Sequence, residues 1–215
     1  MRNKVKKEKL SENVLSLVKD LPFFDIAYLK NILKNEHYLK ILLHRYSKNG
    51  DIIRLKKGIY TTKRYAEGIK NKGSYSNYLE FLASAIYPPA YLSLEYVLSE
   101  NNLLTEMPEN FTLITRNKTA NFRNNFGNFI YHNVKESLFT GFSAMKHNEF
   151  IIYKATKAKA LFDFIYLRKN IITDRNSFEE LRLNTIILTS SDKKKLLEYA
   201  FADGSGRMMK ILKYI

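Results

Sequence analysis

The chain contains no cysteine and no tryptophan, and it has only 4 prolines and 8 glycines among its 215 residues. The absence of cysteine excludes disulfide bonds, thiolate metal sites and cysteine nucleophiles. The apolar runs are far shorter than the roughly 20 residues that a membrane-spanning helix needs. The charged residues 1–10 precede no apolar stretch of the kind found in secretory signals. We therefore expect a soluble cytoplasmic protein with no membrane partner.

Acidic residues are also scarce, with 21 Asp and Glu against 36 Lys and Arg, which gives a formal net charge of +15. Residues 1–73 contain 18 Lys and Arg and 7 Asp and Glu, a net charge of +11, whereas residues 74–215 contain 18 and 14, a net charge of +4. A concentrated basic excess indicates a polyanionic partner, nucleic acid before any other. The hydrophobic content of 45% is that of an ordinary folded protein.

The change in charge coincides with a polar stretch, residues 65–76, that includes two glycines and shows no sustained periodicity. This composition predicts a linker between two domains. We place the small basic domain at residues 1–70 and a larger, nearly balanced domain at residues 75–215.

Apolar residues recur at helical spacing in three segments of the small domain. The first segment ends at Pro22, the second follows Asp25 as an N-cap, and the third ends near Gly50. Residues 51–62 have the pattern of two short strands around a glycine turn. Three helices followed by a hairpin is the order typical of a winged helix-turn-helix domain, which we predict for residues 1–70.

The third helix supplies a candidate DNA-binding face. Its core-facing residues are predicted to be Leu39, Leu42, Leu43 and Tyr46, and a recognition helix presents the opposite face to the major groove. On that face the candidate base contacts are His37, Lys40 and His44, and the candidate phosphate contacts are Arg45 and Lys48. The hairpin adds Arg54, Lys56 and Lys57, which suit the DNA backbone or the minor groove. The alternative is that this surface is only the solvated face of an amphipathic helix.

The larger domain is predicted to mix helices and strands, so the fold class is α+β. Helices are expected to begin near Tyr75, at Ser93 and at Thr156. Strands are expected at residues 111–115, 126–134, 139–143 and 149–154, and further helices at residues 178–183, 192–202 and 207–215.

No catalytic motif emerges from the sequence. The four histidines lack metal-ligand spacing, and there is neither a G-x-S-x-G elbow nor a phosphate loop ending in Gly-Lys-Ser/Thr. Lys159 and Asp163 fit an ordinary i,i+4 ion pair. We expect no enzyme, no metal and no cofactor.

Three segments resemble the AbiEi-type antitoxins of abortive infection systems. Residues 49–60 (NGDIIRLKKGIY) are similar to the wing of that family, residues 91–98 (YLSLEYVL) to its Ser-Leu-Glu helix start, and residues 155–163 (ATKAKALFD) to a later helix. Ala158 stands where the family commonly has Glu, and Ile59 replaces Val. The segments come in the family's order.

The resemblance implies an autoregulating antitoxin of a bacterial toxin–antitoxin operon. Its winged helix would bind inverted repeats in operator DNA as two copies and repress transcription. The C-terminal domain would neutralise a nucleotidyltransferase-like toxin, whether or not the two proteins bind directly. Two alternatives stay open: a plain winged-helix regulator whose C-terminal domain dimerises or senses a ligand, and a nucleic-acid-processing enzyme that docks through the winged helix.

Overall fold

The computed structural model of the chain describes residues 14–215, which fall into two compact units of mixed α+β structure, the fold class that the sequence predicts. The first unit contains the described residues up to Tyr78 together with Phe122–Phe126. The second contains Leu79–Asn121 and Gly127–Ile215. The apolar pattern of the first predicted helix begins at Leu10, and Leu10 lies outside the described residues.

The first unit combines helices with a three-stranded antiparallel sheet of order β1-β3-β2. Its elements are α1 (helical residues 14–18), β1 (Phe24–Asp25), α2 (Ile26–Lys30), α3 (Glu36–Asn49), β2 (Ile52–Lys56), β3 (Ile59–Thr62) and α4 (Lys63–Asn71). The predicted caps are confirmed: the Asp25 carboxylate accepts a hydrogen bond from the Tyr28 amide at 2.7 Å, and Gly50 ends α3 at φ +80°. The turn between β2 and β3 contains Gly58, as expected, at φ +84°. These local signals fix where α2 and α3 begin and end.

The prediction of a linker at residues 65–76 is wrong, because α4 runs through Asn71. The Thr62 hydroxyl caps this helix by accepting from the Tyr65 amide at 3.1 Å, and Ala66 and Ile69 are buried on one side of it. The helix is amphipathic, but its residues are mostly polar or charged and include Gly68, which explains why its composition resembles that of a linker.

One tyrosine and one phenylalanine from distant parts of the chain complete the first unit. The Tyr78 hydroxyl donates to the Pro22 carbonyl oxygen at 2.6 Å and accepts from the Thr61 hydroxyl at 2.9 Å. The Phe126 ring lies edge-on to the Tyr78 ring at a centroid distance of 6.1 Å. The unit is therefore not a simple N-terminal segment of the chain.

The remaining strands form a six-stranded mixed sheet of order β6-β7-β5-β4-β9-β8. Its strands are β4 (Ala90–Leu92), β5 (Phe111–Thr115), β6 (Ala120–Asn124), β7 (Gly127–Asn133), β8 (Phe142–His147) and β9 (Phe150–Ala155). The helices are α5 (Tyr75–Ala85), α6 (Leu94–Glu100), α7 (Lys157–Arg168), α8 (Arg175–Glu179), α9 (Ser190–Asp203) and α10 (Gly206–Leu212), with 3₁₀ turns at Glu136–Leu138 and Thr185–Ile187. Helix α7 packs against α6 and α9. Within residues 14–215, no helix has the length and apolar composition that crossing a membrane requires.

Most of the predicted elements of this region are confirmed, including the helix starts at Ser93 and Thr156. The strand expected at residues 139–143 instead begins at Phe142, because Gly141 adopts φ +76° just before it. The helix expected at residues 178–183 is instead α8, which a capping box at Asp174 starts three residues earlier. Strands β4 and β6 were not predicted.

Candidate nucleic-acid interface

Helix α3 presents one apolar face to the core and one polar face to solvent. The Asn35 side chain caps it by accepting from the Tyr38 amide at 3.0 Å, and the buried residues are those predicted, Leu39, Leu42, Leu43 and Tyr46. Because a helix repeats every 3.6 residues, this burial fixes what lies on the opposite side. The exposed face carries His37, Lys40, His44, Arg45 and Lys48.

The three basic residues of the hairpin have different environments. Arg54 and Lys57 are exposed, whereas Lys56 is half-buried and its Nζ lies 5.3 Å from the centroid of the Phe122 ring. Burial lowers the pKa of Lys56. The same hairpin is held by Asn124, whose side-chain amide donates to the Leu55 carbonyl oxygen at 2.9 Å. The Lys56 side chain therefore makes contacts within the first unit, whereas the Lys57 side chain faces solvent.

Helix α3 and the hairpin meet at a shallow cavity of about 180 Å³. Three of the candidate residues line it together: Lys40 and His44 from α3 and Arg54 from β2. Arg54 is aligned opposite Tyr60 in the β2–β3 pair, just before a β-bulge. The sheet therefore brings a guanidinium beside the polar face of α3, and the two parts of the predicted surface form one concave basic patch.

An acidic residue offsets part of this charge. The Glu36 carboxylate lies 2.9 Å from the Lys40 Nζ and 2.9 Å from the Lys30 Nζ. Hydrogen bonds from Lys30 and then Lys40 lower the pKa of Glu36. Glu36 is not among the predicted site residues, although its position four residues before Lys40 is the signal for such a pair.

Four other cations of the predicted set have no carboxylate within ion-pair distance among residues 14–215. They are Arg45, Lys48, Arg54 and Lys57. An unpaired guanidinium or ammonium on an exposed surface can bind a phosphate without first breaking an ion pair. The surface therefore offers four cationic groups that no carboxylate of residues 14–215 holds. Two of them have neutral partners: the Arg54 Nε donates to the Lys56 carbonyl oxygen at 3.4 Å, and the Arg45 guanidinium lies 5.8 Å from the centroid of the Tyr46 ring.

Sequence reasoning missed two basic residues of α4. A cavity of about 630 Å³ is lined by Arg54 together with Lys63 and Lys70. The Lys63 Nζ lies 3.7 Å from a carboxylate oxygen of Glu67, and the Lys70 Nζ lies 6.0 Å from the centroid of the Tyr75 ring. Their spacing of seven residues places Lys63 and Lys70 on one side of a helix, but residues 65–76, which include Lys70, were predicted to be a linker.

The second unit contains a buried polar cluster centred on Asp163. Its carboxylate accepts hydrogen bonds from the Lys159 Nζ at 2.6 Å, the Ser93 hydroxyl at 2.8 Å and the Tyr91 hydroxyl at 3.0 Å. All four residues have no accessible surface. The expected i,i+4 pair is present, but it is not ordinary, because it is fully buried. Since three donors satisfy the carboxylate, the cluster joins α7 to the segment from β4 to the start of α6.

A second acidic group ties the C-terminal helices together. The Lys169 Nζ lies 2.9 Å from a carboxylate oxygen of Asp203, and the Ser205 hydroxyl also donates to Asp203. Burial by itself would raise the pKa of Asp203, but the hydrogen bonds from Ser205 and Lys169 outweigh it and hold the pKa below the usual 3.8.

Residues 14–215 contain no group of three or more His, Cys, Asp or Glu side chains placed to hold a metal ion. Comparison of the chain with models of known protein families gave no match. Comparison with curated proteins gave no match either.

Proposed function

We propose that the first unit is a winged helix-turn-helix domain that binds double-stranded DNA, with α3 as the recognition helix and the β2–β3 hairpin as the wing. The observation that carries the proposal is the concave patch in which Lys40, His44 and Arg54 line one cavity. Uncompensated cations on both α3 and the hairpin support it, because phosphate contacts supply most of the affinity for DNA.

In this proposal α3 enters the major groove with its N-terminal half nearest the bases. His37, Lys40 and His44 face the base edges, and Arg45 and Lys48 contact phosphates. Arg54 and Lys57 contact the backbone or the minor groove beside the helix. An operator with inverted repeats takes two copies of the chain, since each copy reads one half-site.

We further propose that the chain is an autoregulating antitoxin of the AbiEi type, which represses its own operon and neutralises a nucleotidyltransferase-like toxin through the second unit. The three segments that resemble the family support this proposal. Two of them, residues 91–98 and 155–163, meet in the buried cluster around Asp163, where Tyr91 and Ser93 donate to the carboxylate. A shared buried network gives a physical reason for both segments to carry a recognisable pattern.

The test of DNA binding is fluorescence anisotropy on the duplex from immediately upstream of the gene, beside a scrambled duplex, between about 50 and 300 mM salt. We expect a preference of at least about 10³ for the upstream duplex. Lys40→Ala with Arg45→Ala should abolish the preference. Lys146→Ala with Lys194→Ala, which removes two exposed charges from the second unit, should not. Equal binding of both duplexes by the wild type would refute sequence-specific recognition.

The test of antidote activity is rescue of cells that express the toxin encoded beside the gene. Lys40→Ala with Arg45→Ala should rescue as well as the wild type, because those residues belong to the first unit. Failure of this folded variant to rescue would contradict the division of labour. Failure of the wild type to rescue, with specific DNA binding intact, would leave a plain transcriptional regulator.

A further inference from the structure

One large apolar side chain, that of Ile41, lies on the otherwise polar face of α3. Ile41 is 54% exposed, although the helix buries four other large residues on its opposite side. Its neighbours at spacings of three and four residues are His37, His44 and Arg45, which are side chains of the proposed DNA surface. Ile41 therefore lies inside the proposed interface, with polar and cationic groups before and after it along the helix.

The chemistry of the major groove offers one apolar partner for such a residue. Thymine alone among the four bases presents a methyl group there, at C5, and apolar side chains distinguish thymine from the other bases by contact with it. The surrounding groups can bind phosphates and base acceptors, but an aliphatic side chain can do neither. A branched side chain near the middle of a recognition helix is at the depth where base edges are reached.

We infer that Ile41 is a specificity-determining residue that packs against the C5 methyl group of a thymine in each half-site. This inference rests on the proposed function, since it requires that α3 enters the major groove. It deepens that function by naming the base that the helix recognises at one position of the operator.

The experiment compares thymine with deoxyuridine, which lacks only that methyl group. The full-length chain first selects a binding site from a randomised duplex library, and each thymine of the selected site is then replaced singly by deoxyuridine. Removal of one methyl group from an apolar contact corresponds to about 0.8 kcal/mol, or about a fourfold change in affinity. We expect one thymine in each half-site to show this loss with the wild-type chain.

Ile41→Ala should bind the thymine and deoxyuridine duplexes equally at that position, because its side chain no longer reaches the methyl group. The variant should fold, since alanine is the better helix former at an exposed position. Ile151→Ala removes an isoleucine of similar exposure, 49%, from the second unit and should retain the wild-type fourfold loss.

The outcomes separate the inference from the function on which it rests. If no sequence is selected from the library, the proposed DNA recognition fails. If a site is selected but no deoxyuridine replacement weakens binding, the role of Ile41 is overturned and the proposed function is retained. A fourfold loss that persists in Ile41→Ala would likewise overturn the inference, because another group would then contact the methyl.

Discussion

Two adjacent lysines of the β2–β3 hairpin differ in a way that a salt titration can measure. Lys57 is exposed at the turn, whereas the Lys56 Nζ lies 5.3 Å from the centroid of the Phe122 ring and the side chain is half-buried. The change that we consider is Lys57→Ala, with Lys56→Ala as its matched control. Both variants remove one charge from the same hairpin, so they have the same effect on net charge.

The expected magnitude follows from counterion release. Each phosphate that a lysine neutralises contributes about 0.9 to the slope of log affinity against log salt. The four cations without a carboxylate partner therefore predict a slope at least as steep as about −3.6 for one copy of the chain. Lys57→Ala should reduce the magnitude of the slope by about 0.9. The ratio of wild-type to variant affinity should therefore fall about 3.5-fold between 50 and 200 mM salt. Lys56→Ala should leave the slope nearly unchanged, because its ammonium already packs against an aromatic ring.

The assay is fluorescence anisotropy with the upstream and the scrambled duplex at several salt concentrations. Lys57→Ala should weaken binding to both duplexes by the same factor, since a phosphate contact reads no sequence. Equal reductions of the slope by Lys56→Ala and Lys57→Ala would refute the reasoning, because the contact with Phe122 would then not restrain Lys56. A loss of preference for the upstream duplex in Lys57→Ala would mean that the β2–β3 hairpin reads bases.

Three further changes test other parts of the molecule. Glu36→Gln should raise the affinity for the upstream duplex in the same anisotropy assay, because it releases Lys40 from its ion pair and leaves its ammonium free to contact a base. Asp163→Asn should lower the free energy of unfolding of the second unit by about 3–5 kcal/mol in urea melts, because it leaves a buried ammonium uncompensated. Acidification below pH 3.8 should destabilise the second unit. The pKa of Asp203 in the folded protein lies below 3.8, its value in the unfolded chain, so the ionised carboxylate stabilises the fold above pH 3.8. That stability is lost as the pH falls through the pKa of the folded state. Asp203→Asn should make the urea midpoint fall less between pH 6 and pH 3.

Each of these changes has a control or a contradicting result. An unchanged affinity of Glu36→Gln for the upstream duplex would mean that Lys40 does not contact a base. Glu179→Gln breaks the exposed i,i+4 pair with Arg175 and should lower the free energy of unfolding by less than about 1 kcal/mol. An equally small loss in Asp163→Asn would contradict the claim that burial makes the Lys159–Asp163 pair important for stability. If Asp203→Asn and the wild type lose the same stability in acid, the lowered pKa of Asp203 does not contribute to it.

Much of the first unit could be predicted because its determinants are local. The cap at Asp25 and the left-handed glycine at position 50 each act within one helical turn. The buried face of α3 follows from a periodicity of 3.6 residues, and the exposed face that carries the candidate contacts follows from it. The interpretation failed for α4, where the polar composition and Gly68 were given more weight than the helical spacing of Ala66 and Ile69.

The amino-acid sequence by itself determined the chemical character of this protein: a basic N-terminal third, helices with defined ends, and a polar face on α3. The tertiary structure decided which of those groups are available. Lys56 is partly covered because Phe122 lies against it, and the pair of Lys159 and Asp163 is buried because Tyr91, 72 residues before Asp163, packs beside it. Periodicity and capping act over a few residues, whereas burial depends on contacts between distant segments, and burial is what separates a surface charge from a structural one.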